Sequence, residues 1–138
     1  MGAPTLHHVG YAVTSIEEAI EGWRESFCAL AVSPTFGDPV QRALVAFLTL
    51  GDSAAAQIEL IQGDDEDSPI ARFAAKGGGL HHLCFEVNNL ADHLALMKSR
   101  GAMLIRPPRP AVAFDGRPIA WMVTRQKALV EYLQRQVR

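Results

Sequence analysis

Alternating and helix-period runs follow one another along this chain in a set order, and the order occurs twice. Leu6-His7-His8-Val9-Gly10-Tyr11-Ala12-Val13 reads as a strand. Ser15 then offers an N-cap with Glu18 three residues on, and Ile16, Ile20, Trp23 and Phe27 recur at helical spacing. This helix is assigned Trp23 and Phe27 as core residues. Strands are predicted near Leu30 to Ser33, over Val45 to Leu48 and over Gln57 to Leu60. The second half repeats the series. Leu80-His81-His82-Leu83-Cys84-Phe85-Glu86-Val87 is the strand, and Asn89 with Asp92 is a weaker cap pair. Leu90, Leu94 and Met97 form the apolar stripe, with Gly101 as the stop. Strands then follow near Met103 to Arg106, over Ile119 to Met122 and over Leu129 to Tyr132.

The repeat has a measurable offset. His8 and His82 lie 74 residues apart (82 − 8), while Glu59 and Glu131 lie 72 apart (131 − 59). A two-residue deletion in the last hairpin accounts for the difference. Two tandem β-α-β-β-β modules make the chain an α+β protein. Between them, Ser68 and Pro69 open a short helix and Gly77-Gly78-Gly79 closes it. The expected organisation is one domain over residues 1–138. Module 1 runs from about 5 to 62, the linker helix from about 63 to 78 and module 2 from about 79 to 134. The acids Asp64, Asp65, Glu66 and Asp67 read as a solvated loop complementing the helix N-terminus.

Composition narrows the function. With 138 residues, 49% of them apolar, the chain can bury a core without disulfides. A net charge of −2 gives no electrostatic footprint for nucleic acid. Arg106, Arg109 and Arg117 read as a solvated loop rather than an anion site. The apolar run Ala43 to Leu50 is too short to span a bilayer, and the first residues do not resemble a signal peptide. No membrane partner is expected, and a cytoplasmic location follows. Cys28 and Cys84 have no redox or metal-knuckle spacing and read as reduced thiols.

Strand alternation sorts the candidate chemistry. His8, Gly10 and Ala12 share one face of the first strand; Tyr11 and Val13 take the other and pack on the helix. His82, Cys84 and Glu86 likewise oppose Leu83, Phe85 and Val87. Glu59 lies between core residues Ile58 and Leu60, and Glu131 between Val130 and Tyr132, so both carboxylates project away from the helices. His8, Glu59, His82 and Glu131 thus form a candidate metal set, two donors per half. Imidazole with carboxylate suits Zn, Ni, Co, Mn or Fe(II). A one-residue slip would substitute His7 and His81. Cys84 reads as a small lining residue beside His82, and His93 as a surface residue.

These segments, with Asp67-Ser68-Pro69-Ile70-Ala71-Arg72-Phe73, resemble the vicinal oxygen chelate (glyoxalase/bleomycin resistance/dioxygenase) superfamily over nearly the whole chain. Within it, they are most similar to the methylmalonyl-CoA epimerases. The loop 111–118 and the hairpin 123–127 depart from the epimerase pattern. The resemblance implies a glyoxalase-like fold, with two tandem βαβββ modules forming a half-closed barrel. It places metal ligands at His8, Glu59, His82 and Glu131. It also implies a metal-dependent epimerase that abstracts a proton beside a carbonyl, with Glu131 as base and Glu59 as second base. A small-molecule substrate, such as an acyl-CoA thioester, and a homodimer are further implications. The same superfamily includes glyoxalase I-type lactoylglutathione lyases and Fe(II) dioxygenases, the latter using a triad such as His8, His82 and Glu131. Non-enzymatic binding proteins of the drug-resistance type also belong to it.

Overall fold

A computed structural model of the chain describes residues 2–27, 30–51 and 56–136. Cys28 lies outside the described residues. The chain divides into two compact units, His8–His81 and Met1–His7 with His82–Arg138.

The first unit contains β1 (Thr5–Ala12, from His8 on), α1 (Ile16–Phe27), β2 (Leu30–Val32), β3 (Phe36–Asp38), β4 (Ala43–Leu50), β5 (Gln57–Gly63) and α2 (Pro69–Ala75). Its strands are ordered β2-β4-β5-β1, with β3 also paired to β4. β4 and β5 form an antiparallel hairpin, whereas β1 pairs with β5 in parallel. β3 has no counterpart in the expected series, because Phe36-Gly37-Asp38 is too short to show a period.

The second unit contains β6 (Gly79–Val87, from His82 on), α3 (Leu90–Ser99), β7 (Met103–Pro110), a 3₁₀ turn (Val112–Phe114), β8 (Pro118–Val123) and β9 (Leu129–Gln134). Their order is β6-β9-β8-β7, with β6 and β9 parallel. β7 runs four residues beyond the expected Arg106, through Pro107, Pro108 and Pro110. Among the described residues it pairs only with β8, and its ladder shifts register twice. Prolines are tolerated in such a strand because it pairs on one side only and its ladder is already irregular.

The helix starts are built as the sequence suggests, with one addition. Ser15 Oγ accepts from Glu18 N at 3.2 Å, and Asn89 Oδ1 accepts from Asp92 N at 3.0 Å. In each unit a glutamine on the last strand also caps the first helical amide. Gln62 Oε1 accepts from Ile16 N at 2.9 Å, and Gln134 Oε1 accepts from Leu90 N at 2.8 Å. Each glutamine lies three residues after a candidate ligand, Glu59 or Glu131. An odd spacing on a strand puts the two side chains on opposite faces. The amide points to the helix, and the carboxylate therefore points away.

Each helix covers its own core. Ile16, Ala46, Leu48 and Leu60 are buried under α1, with Tyr11, Val13, Ile20 and Trp23 packed against them. Val87, Leu90, Leu94, Ala120, Met122, Val130 and Tyr132 form the counterpart under α3. Trp23 joins the core as expected, but Phe27 does not. Its side chain is 56% exposed, because the last turn of α1 has passed the edge of the core, and it rests against the Trp23 ring.

α2 begins as expected. Ser68 is fully buried, and its hydroxyl accepts from Ala71 N at 3.0 Å. Gly63 makes that close approach feasible. A Cβ there would lie 2.1 Å from Ser68 Oγ and 2.7 Å from Ala71 N. Gly63→Ala is therefore expected to break the cap and strain the turn, lowering stability by about 1–3 kcal/mol. Urea unfolding would check this through a lower midpoint with an unchanged slope.

Candidate functional site

Each unit holds one imidazole–carboxylate pair, and the two pairs are built alike. In the first, parallel pairing sets Gly10 opposite Glu59, which brings His8, two residues earlier on the same face, near the carboxylate. His8 Nε2 lies 3.6 Å from Glu59 Oε2, with side-chain exposures of 0% and 4%. In the second, Cys84 is opposite Glu131, and His82 Nε2 lies 3.5 Å from Glu131 Oε1 with exposures of 0% and 3%. The neighbouring hairpin strand adds an aromatic wall in both. Phe47 stands opposite Glu59 with its ring edge-on to His8 at 5.4 Å. Trp121 stands opposite Glu131 with its ring edge-on to His82 at 4.7 Å.

The wall residues were not distinguishable from core strand residues in the sequence. Their aligned positions, Phe47 and Trp121, were the available signal. These rings orient the imidazoles and keep water from the pairs.

The pair distances bear on a metal. At 3.5 and 3.6 Å, both exceed an ordinary hydrogen bond. Two donors bound about 2.1 Å from one ion, at right to tetrahedral angles, stand roughly 3.0–3.4 Å apart. The donor atoms therefore sit near the spacing of adjacent ligands. Imidazole nitrogen and carboxylate oxygen are also the donors a borderline divalent ion accepts. The residues present fit such an ion. His8 and Glu59 present such donors in the first unit, and His82 and Glu131 present them in the second.

The other candidates fall elsewhere. His7 is half-buried with its ring edge-on to Phe114 at 5.2 Å, and His81 meets Phe73 at the same distance. In each His-His pair it is the second histidine that meets the carboxylate of its unit. Cys84 is fully buried beside the His82–Glu131 pair. The acidic run is exposed, and Arg42 holds it. Arg42 Nη2 donates to both Asp65 oxygens at 2.9 and 2.8 Å, and this lowers the Asp65 pKa.

Two expectations need correction. Arg117 is not a solvated loop residue: it is three-quarters buried and pairs with Glu86 at 3.0 Å, also donating to the Gln134 carbonyl. Arg106 and Arg109 are exposed on β7 rather than on a loop. His93 is not a free surface residue either. It is half-buried against the Tyr132 ring at 4.5 Å, and burial, with the charge of Arg100, lowers its pKa.

This fold and donor pattern mark a class. Residues 7–121 match the family model of the glyoxalase/bleomycin resistance protein/dioxygenase superfamily, and the chain belongs to that superfamily. Among its relatives, the ethylmalonyl-CoA/methylmalonyl-CoA epimerase of Cereibacter sphaeroides is 32% identical over 119 residues, 85% of this chain and 86% of that protein. The human mitochondrial methylmalonyl-CoA epimerase is 37% identical over 120 residues, 85% of this chain and 65% of that one. The crystal structure of methylmalonyl-CoA epimerase from Mycobacterium tuberculosis superposes with a TM-score of 0.81 at 28% identity, covering 96% of this chain and 88% of that one. No helix among the described residues is long and apolar enough to cross a membrane.

Proposed function

We propose that this chain is a metal-dependent epimerase of the methylmalonyl-CoA type, acting on the carbon between a thioester carbonyl and a carboxylate. The observation that carries the reading is the duplicated, buried His–Glu pair, one in each half. Relatives named as epimerases of such acyl-CoA thioesters, at 32% and 37% identity, support the substrate class. We further propose that His8, Glu59, His82 and Glu131 serve one ion.

When bound, such an ion supplies Lewis-acid polarisation of a substrate carbonyl oxygen. The residues supply the proton chemistry. The Glu131 carboxylate takes the proton from the α-carbon, and the C–H electron pair passes into the enolate. Epimerisation then needs a proton on the opposite face of that carbon, delivered by Glu59 or by water. Glu131 then gives its proton to solvent, and Glu59, where it is the donor, takes one back from solvent, which completes the cycle. Two carboxylates related by the repeat suit a reaction with two opposed proton positions. Phe47 and Trp121, nearly buried beside the imidazoles, exclude water that would compete for the bases.

The test is deuterium uptake. Protein loaded with Co(II) and incubated with methylmalonyl-CoA in deuterated water is expected to exchange the α-proton and equilibrate the epimers. Protein that carries one ion per chain yet exchanges nothing would refute the assignment.

A further inference from the structure

The two halves differ on their helical side. In the first unit the Trp23 indole packs edge-on against Tyr11 at 5.4 Å, filling the space between α1 and β1. The repeat offset of 74 places Met97 at the position of Trp23 and Phe85 at that of Tyr11. A thioether chain fills less than an indole. At this place the second unit has a cavity of about 570 Å³ between α3 and strands β6 and β9. That volume lies within the ordinary range for small-molecule sites.

The lining shows what the cavity could take. Phe85, Val87, Leu96 and Met97 give apolar walls. His93 and Tyr132 stand where the first unit has Ala19 and Leu60, so the second half has gained two polar rings. Tyr132 is 5% exposed, and its hydroxyl hydrogen-bonds to no other described residue. A phenol offers one O–H donor to a ligand. Burial, with the charge of Arg100, lowers the His93 pKa and so favours the neutral ring, which can donate or accept. Asp92 and Arg100, the charged residues at the wall, are of opposite sign. The described lining residues gather no positive charge for a phosphate or a nucleotide.

We infer that this cavity is a second ligand site, separate from the His–Glu pairs, for an uncharged aromatic molecule of about indole size bearing one hydroxyl or carbonyl oxygen. The ring occupies the volume that Trp23 fills in the first half. The oxygen accepts from Tyr132, with His93 beside it. Binding there needs neither a metal nor epimerase activity.

The experiment is a titration of isotope-labelled full-length protein with 2-naphthol, followed by amide shifts, with naphthalene-2-sulfonate as the charged control. Shifts confined to Val87, His93 and Met97 and their neighbours are expected, with a dissociation constant on the order of 1 mM or tighter. Met97→Trp restores the missing indole and is expected to weaken binding by more than about tenfold. Tyr132→Phe, a milder change, is expected to weaken it about fivefold through the lost hydrogen bond. Equal binding of the sulfonate, an unchanged affinity in a folded Tyr132→Phe protein, or no shifts at all would overturn the site. So would shifts of the same amides on diluting the protein alone, since a second copy would then cover the cavity.

Discussion

Replacing Glu131 by Gln is expected to slow α-proton exchange into methylmalonyl-CoA by about 10²–10⁴-fold, the span typical of losing a positioned general base. The substitution keeps size and one carbonyl oxygen, so packing in β9 should hold. It removes the basic carboxylate oxygen 3.5 Å from His82 and leaves an amide that cannot take a proton. Glu59→Gln removes the same chemistry from the other half, where epimerisation calls for proton return. If Glu59 returns the proton, exchange in deuterated water and net inversion should separate in that variant: the first falls less than the second. Equal rates in Glu131→Gln and the parent would remove Glu131 from the reaction.

His82→Ala is expected to weaken metal binding by well over 100-fold. Loss of a group that merely orients a ligand already costs about 10–100-fold, and here a donor itself is lost. The same loss is expected for His8→Ala, although that residue belongs to the other unit. This equality is the informative part. If the halves serve a single ion, either substitution empties the whole site, and metal analysis after dialysis reads near zero in both. If each pair bound its own ion, one equivalent would survive in each variant, and the shared centre would be wrong. Far-ultraviolet circular dichroism guards against simple unfolding. Each variant leaves a buried carboxylate without its imidazole, which is costly on its own account.

Much of this arrangement was legible in the chain, for a definite reason. A strand gives every second residue the same face, so one apolar–acid–apolar triplet decides where an acid points. Ile58-Glu59-Leu60 and Val130-Glu131-Tyr132 gave that decision twice. The register also separated His8 from His7 and His82 from His81, and the pairing distances agree with it. The 74-residue offset aligned His8 with His82 as equivalent positions of the repeat.

What escaped the sequence depended on proximity rather than period. The Gln62 and Gln134 caps link residues 46 and 44 positions away, beyond any local pattern. Phe47 and Trp121 alternate like ordinary core residues, and only the pairing to β5 and β9 sets them over the imidazoles. The Arg117–Glu86 pair spans 31 positions and looked like loop charge. Phe27 fitted the helical stripe but fell past the end of the sheet beneath it. His93 looked like a surface residue because α3 also carries Asp92 and Lys98, while its partner Tyr132 lies on a strand remote in sequence.

The outer strand of the second unit has one more consequence. β7 exposes most of its length, and an unprotected border of that kind invites a foreign strand to zip onto it. Pro107, Pro108 and Pro110 interrupt the row of amides a newcomer would need, and Arg106 and Arg109 set charge beside them. Fibril growth by strand stacking is thus blocked on this side by covalent chemistry, independently of how stably the rest of the chain is folded.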